Sequence, residues 1–324
     1  MRDAFVKAAM TLAEKDKNVY LITGDLGFGV LRPFWEAFPK QFINAGIAEQ
    51  AMTGVAAGLA KEGKTVFTYS IGNFPTLRCL EQIRNDCAYH DLNVKIVCVG
   101  GGFTYGPLGM SHHATEDIAI MRALPGVVVA APADAKQATA LTNAIYKHQG
   151  TCYLRLGRGG EADASVSVSN DILNSAIKLE SGSAAAIFFT GALYAEAKAA
   201  AEMLKAQGVN AAIYSFPVIK PIDTETIKNC AKNYRTIVTV EEHNIVGGFG
   251  SAVCEVVAEI NERTANVVRI GLNDVYSTVV GSQQYLKEEY HITAQAIADA
   301  VQCGAVLDKI AKDASNKRLR YNNK

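Results

Sequence analysis

VYLIT (19–23), the glycine-rich turn GDLGFG (24–29), FINA (42–45), AEQAMTGVAAGLAKEG (48–63) and TVFTYS (65–70) follow one another near the start of the chain. Short apolar runs bounded by turn residues alternate here with a stretch of helical periodicity, which is the signature of parallel strands covered by helices. The alternation continues outward. A helix over Asp3 to Lys15 precedes it. A helix around Thr76 to Tyr89, strand VKIVCVG (94–100), a long loop to Ala114, strand GVVVAAP (126–132), a helix from Ala135 to His148 and strand TCYLRL (151–156) follow. The segment GRGGEADASVSVSNDILNS (157–175) then loses periodicity and gathers Gly, Ser, Asp and Asn, as a linker does.

A second alternating block follows: AAAIFFT (184–190), a helix from Ala192 to Gln207, NAAIYSF (210–216), a helix from Thr224 to Lys232, RTIVTVEE (235–242), the loop HNIVGGFG (243–250), a helix from Ser251 to Glu262, NVVRIGL (266–272) and a helix from about Thr293 to Ala311. The expected class is α/β with two doubly wound domains, 1–165 and 176–305, and a basic, solvated tail over 306–324.

Composition excludes several functions. The 324 residues carry 32 Lys+Arg against 32 Asp+Glu, so there is no basic field to track a phosphate backbone. No apolar run reaches the roughly 18 residues that span a bilayer. The opening MRDAFVKAAMTLAEKDKN is interrupted by Asp3, Lys7, Glu14 and Lys15 and does not read as a signal peptide, so a cytoplasmic location is expected. The seven cysteines lack a Cys-x-x-Cys pair and read as reduced, buried thiols.

Four places carry chemistry. GDLGFG lacks the register of a dinucleotide loop, but Asp25 stands at a strand's carboxyl end, where open sheets bind ligands. Glu49 is a lone carboxylate opening a small, apolar helix. It either complements the positive end of that helix or keeps a proton available in apolar surroundings. The loop GGGFTYGPLGMSHHATED (100–117) is too long for a plain connection and sets His112 beside His113. A metal site of His112 with Glu116 is open on spacing, but hydrogen-bonding or proton-shuttling histidines fit the glycines around them better. LRLGRGG places Arg155 and Arg158 at the end of the first sheet, either as surface cations or as forks for phosphate or carboxylate.

Taken together, these segments resemble the pyrimidine-binding and C-terminal domains of the thiamine diphosphate enzymes that include transketolase and 1-deoxyxylulose-5-phosphate synthase. The resemblance runs from residue 1 to about 305. It rests on GIAEQAMTGVAAGLA (46–60), GPLGMSHHATEDIAIMRALPGVVVAAPAD (106–134), RLGRG (155–159) and VEEHNIVGGFGSAV (240–253), in family order. It implies that Glu49 hydrogen-bonds the cofactor's pyrimidine and activates it. Phe74 in TYSIGNFPTLR stacks on that ring, with Tyr69 as the neighbouring aromatic candidate. His112 contacts sugar hydroxyls, Arg158 and Arg2 the sugar phosphate, and Asp25 a substrate hydroxyl.

The family holds the diphosphate through Mg2+ with a Gly-Asp-Gly followed by a spaced Asn, and no Gly-Asp-Gly occurs here. The resemblance therefore implies that a separate subunit carries the magnesium and the diphosphate, with the cofactor at the interface of the two chains. An α2β2 assembly that transfers a two-carbon ketol unit is the expectation. The beta subunit of a pyruvate dehydrogenase-type enzyme and half of a 1-deoxyxylulose-5-phosphate synthase-like enzyme are the alternatives. The His112–His113 pair and Arg158 favour sugar phosphates.

Overall fold

The structure is a computed structural model describing residues 1–164, 167–168, 171–261 and 265–303. The expected basic tail lies outside the described residues, as does the end of the last predicted helix, seen over 294–303.

In the first half the apolar runs form β1 (Val19–Thr23), β2 (Phe42–Asn44), β3 (Thr65–Ile71), β4 (Val94–Val99), β5 (Val128–Ala130) and β6 (Cys152–Leu156). Strands β4, β5 and β6 are buried along their whole length. Helices cover both faces of this sheet, which is why its strands read as continuous apolar runs. Those helices are α1 (Arg2–Lys15), α2 (Phe28–Ala37), α3 (Glu49–Lys61), the short α4 (Leu80–Gln82) leading into a π-helical turn over Ile83–Ala88, α5 (Asp117–Ala123) and α6 (Ala135–Lys147).

The second half contributes β7 (Ile177–Glu180), β8 (Ala185–Phe189), β9 (Ala211–Ser215), β10 (Val218–Lys220), β11 (Thr236–Asn244) and β12 (Asn266–Leu272), with α7 (Tyr194–Ala206), α8 (Thr224–Asn233), α9 (Phe249–Ala258) and α10 (Gln283–Glu289).

Two sheets result, in the orders β10-β5-β6-β4-β3-β1-β2 and β12-β11-β8-β9-β7. All pairings are parallel except β10 on β5 and β7 on β9. Strand β10 therefore leaves the second block to close an edge of the first sheet. Periodicity does not disclose it, nor β7, α2 and α10.

The packing also joins the two blocks. On one face of the first sheet, Phe5 and Leu141 of α1 and α6 pack on Leu21, Phe67, Val97 and Leu154. On the other, a cluster including Met52, Ala56, Ile96 and Tyr153 runs on into Phe188, Phe216 and Phe249 of the second block. Phe216 lies 4.7 Å from Phe188 and 5.2 Å from Phe249 by ring centroids. A third cluster, with Ile187, Leu204, Ile213 and Val240, fills the far side of the second sheet.

Because β1, β3, β4 and β6 run parallel, the segments that leave them emerge at one end: Gly24–Asp25, Gly72–Phe74, the loop from Gly100, and Gly157–Arg158. That carboxyl end is where an open α/β sheet leaves a crevice.

Candidate active site

Glu49 is the first residue of α3, and no side chain caps that helix terminus. The carboxylate thus sits where unpaired helix amides favour negative charge. It is 3% exposed. Gly24 packs closely against it, since a Cβ there would lie 3.3 Å from Glu49 Cγ and 3.5 Å from the Gly46 carbonyl oxygen. Arg78 Nη1 donates to Glu49 Oε2 at 2.8 Å. The same guanidinium lies 4.7 Å from the Phe74 ring centroid, a cation–π contact.

Phe74 in turn meets His112 edge-on, with ring centroids 5.1 Å apart. Asn73 fixes this meeting by donating from Nδ2 to the His113 carbonyl at 2.7 Å, which ties the turn after β3 to the histidine loop. His112 Nδ1 lies 3.0 Å from Ser111 Oγ. Partial burial and the neighbouring His113 push the His112 pKa below its ordinary value, so the ring is neutral at neutral pH. His113 is buried, with Nε2 3.1 Å from the Gly106 carbonyl oxygen and its ring edge-on to Phe103, and it holds the loop in shape.

Beyond His112, Tyr105 lies 6.4 Å away by ring centroids, and the Arg158 guanidinium sits 5.6 Å from the Tyr105 ring. Gly100 admits that ring: it has φ +90°, and a Cβ there would stand 2.2 Å from Tyr105 Cε2. Burial raises the Tyr105 phenol pKa, while the charges of Arg158 and Arg2 act on it in the opposite direction. Glu49, Arg78, Phe74, His112, Tyr105 and Arg158 form a continuous chain of contacts from a buried acid to an exposed cation.

Asp25 flanks this chain through Gly24. It adopts φ 56° and exchanges hydrogen bonds with Asn44, from Asn44 Nδ2 to Asp25 Oδ1 at 2.9 Å and from Asp25 N–H to Asn44 Oδ1 at 3.0 Å. Tyr69 is placed elsewhere. It is buried on the α1 face of the sheet, stacked on Phe5 at 6.0 Å.

Arg155 differs from the expectation of a surface cation or anion fork. Its Nε donates to Asp117 Oδ2 at 2.8 Å, and its Nη2 donates to the Ala114 and Glu242 carbonyls at 2.8 and 3.0 Å. The Tyr153 hydroxyl donates to the same Asp117 oxygen at 2.5 Å. Nearby, Glu241 accepts from the Phe249 and Gly250 amides at 2.6 and 2.8 Å. Burial pushes its pKa up to about 7. His243 is held neutral by burial, accepting at Nε2 from the Ala119 amide at 3.3 Å and facing the Asn244 carbonyl through Nδ1 at 2.6 Å. The VEEHN run is thus a buried polar joint between the two blocks.

Sequence reading does not single out Arg78, Asn73 or Tyr105. Arg78 stands four residues after Phe74, a spacing that permits a shared face only once the turn between them is known.

Residues 1–160 match the transketolase pyrimidine binding domain, and residues 174–297 match the transketolase C-terminal domain. The chain belongs to the transketolase family. It is 39% identical over 309 residues to a putative transketolase C-terminal section from Methanocaldococcus jannaschii, covering 93% of this chain and 95% of that one. It is 34% identical to a subunit of an apulose-4-phosphate transketolase from Phocaeicola vulgatus, covering 96% and 97%. A solved structure described as a split gene transketolase in an inactive beta4 tetramer superposes with a TM-score of 0.85 at 38% identity, covering 94% of this chain and 98% of that one. This transketolase family chain therefore corresponds to the C-terminal section of a split transketolase, and thiamine diphosphate dependence goes with the family. No described helix is long and apolar enough to cross a membrane.

Proposed function

We propose that this chain is the pyrimidine-binding subunit of a two-subunit transketolase that moves a two-carbon ketol unit from a ketose phosphate to an aldose, in the cytoplasm. The observation that carries the reading is the unbroken contact chain from Glu49 to Arg158, which sets an activating acid and an anion-binding cation at opposite ends of one surface.

The residues present fit the cofactor's pyrimidine. A buried carboxylate and a half-buried aromatic ring meet one guanidinium, that of Arg78, and they are the pair needed to hydrogen-bond a ring nitrogen and to stack on a ring face. When bound, thiamine diphosphate supplies the electron sink that lets a carbon–carbon bond beside a carbonyl break. In this reading Glu49 holds the proton at the pyrimidine nitrogen and Phe74 packs against that ring. Neutral His112 passes a proton to or from a substrate oxygen through Nε2, with Nδ1 held by Ser111. Arg158 and Arg2 hold the sugar phosphate, and Asp25 orients a hydroxyl.

Among the described residues, no group of three or more His, Cys, Asp or Glu is placed to hold a metal ion. The reading assigns the Mg2+ and the diphosphate to a separate subunit in an α2β2 enzyme. Ile47, Val55 and Leu77, exposed around the Glu49 helix, supply an apolar rim for that subunit. The split-gene relative described as an inactive beta4 tetramer supports the same division, since that assembly is inactive. A relative named as a 6-deoxy-6-sulfo-D-fructose transketolase subunit, from a Clostridium species, is 35% identical over 301 residues. A substrate with an anionic end is what Arg158 and Arg2 suit, and this favours sugar phosphate chemistry over a pyruvate dehydrogenase-type reaction.

Calorimetric titration of Mg2+ and thiamine diphosphate tests the division of labour. Tight binding is expected only after this chain is mixed with its diphosphate-binding subunit. Tight, Mg2+-dependent binding by the isolated chain overturns it.

A further inference from the structure

The Arg78–Glu49 ion pair is lopsided: the arginine side chain is 48% exposed and the glutamate 3%. Burying a lone carboxylate costs several kcal/mol unless it is paired. Glu49 meets that requirement from within its own chain, because Arg78 reaches Oε2 at 2.8 Å and braces its guanidinium on Phe74. The arginine end is different. Half in water, it can release the contact and be resolvated at small cost, as exposed ion-pair partners are. The contact thus satisfies the acid firmly while being held by a group that is free to leave.

We infer that Arg78 is a positioning residue that latches Glu49 in the empty subunit and yields it when the pyrimidine arrives. The inference rests on the proposed cofactor role of Glu49, and it adds a competition: the ring nitrogen and Arg78 claim one carboxylate. The latch keeps the acid buried with its helix terminus ordered until the assembled site is loaded. Loading frees the guanidinium to turn outward from the Phe74 face, which the incoming ring then covers.

Two measurements test this. In the isolated full chain, thermal midpoints are compared for Arg78→Met, Glu49→Gln and the double variant. Arg78→Met is expected to lower the midpoint when Glu49 is present and to have little effect in the Glu49→Gln background, with Arg78→Lys recovering part of the loss. An equal loss in both backgrounds overturns the latch. This cycle requires no cofactor, so it decides the contact independently of the transketolase reading.

In the enzyme assembled with its second subunit, removing the competitor is expected to tighten Mg2+–thiamine diphosphate binding about three- to tenfold in Arg78→Met, the range set by a pair worth roughly 1 kcal/mol. Unchanged or weaker cofactor binding overturns the latch, the weaker result making Arg78 a cofactor contact in its own right.

Discussion

Asp117 and Arg155, both of the first block, form an ion pair at 2.8 Å with their side chains 0% and 6% exposed, where that block meets the second. The pair closes a ring of groups from both halves. Arg155 comes from β6 and Asp117 from α5, while the accepting Glu242 carbonyl belongs to β11. The His112 loop returns to the sheet through Ala114, whose carbonyl also accepts from Arg155. The same arginine therefore anchors the loop and joins the domains.

Breaking that pair from one side leaves a buried charge. Asp117→Ala is expected to cost about 3–5 kcal/mol in chemical denaturation, and Arg155→Met a similar amount. The double variant is expected to cost less than the sum of the two single losses. Additive losses would show that the two side chains do not act as a pair.

The joint also gives stability a pH dependence. Glu241 has its pKa raised to about 7 in the folded chain by burial, above its ordinary value of 4.5. A carboxyl raised in this way binds more protons folded than unfolded, so its contribution is fully present below about pH 4.5 and is lost as pH rises through 7. Glu241→Gln is expected to flatten the fall in unfolding free energy over that window, whatever its effect on the absolute value. An unchanged slope in urea titrations across the window would remove Glu241 as the source.

Phe74 and Tyr69 separate cleanly by experiment. Tyr69→Ala is expected to destabilise the fold by about 3–5 kcal/mol, because the ring is buried against Phe5. Phe74→Ala is expected to lower the denaturation midpoint far less than Tyr69→Ala does, since the ring is only half-buried, and to weaken cofactor binding in the assembled enzyme by about tenfold, the size of a lost stacking contact. Calorimetry and denaturation on both variants check the separation.

These two aromatics show what a sequence conveys and what it withholds. The β3 run TVFTYS announces a strand, and the alternation of a strand sends Phe67 and Tyr69 to one face and Thr68 and Ser70 to the other. Which face meets α1 depends on how the helices wrap, so it is Phe5, far away in the chain, that assigns Tyr69 to the core. Arg155 and Arg158 are likewise alike in LRLGRGG, and the buried Asp117 distinguishes them.

The lone carboxylate opening α3 is legible, because an acid in a run of Ala and Gly stands out. Helix α2 is not. Gly27 and Gly29 beside its start and Pro33 inside it hide its periodicity. Strand β10 escapes because three residues carry no period and its partner β5 is far away in sequence.

Arg158 and Arg2 are expected to act on binding more than on turnover. Replacing Arg158 by Met should raise KM for a phosphorylated donor about tenfold or more, with kcat changed far less, and should barely alter KM for a donor without phosphate. Equal effects on both donors would place the cation away from the phosphate.

Glu49 is the group on which the proposed chemistry depends, since it is the acid that makes the assembled site reactive. The decisive quantity is the rate of two-carbon transfer by Glu49→Gln in the enzyme assembled with its second subunit, alongside a check that assembly is intact. Normal assembly is expected, with transfer reduced at least about a hundredfold, in the range that a positioned acid–base group contributes. Near-normal transfer by that variant would contradict the role given to Glu49.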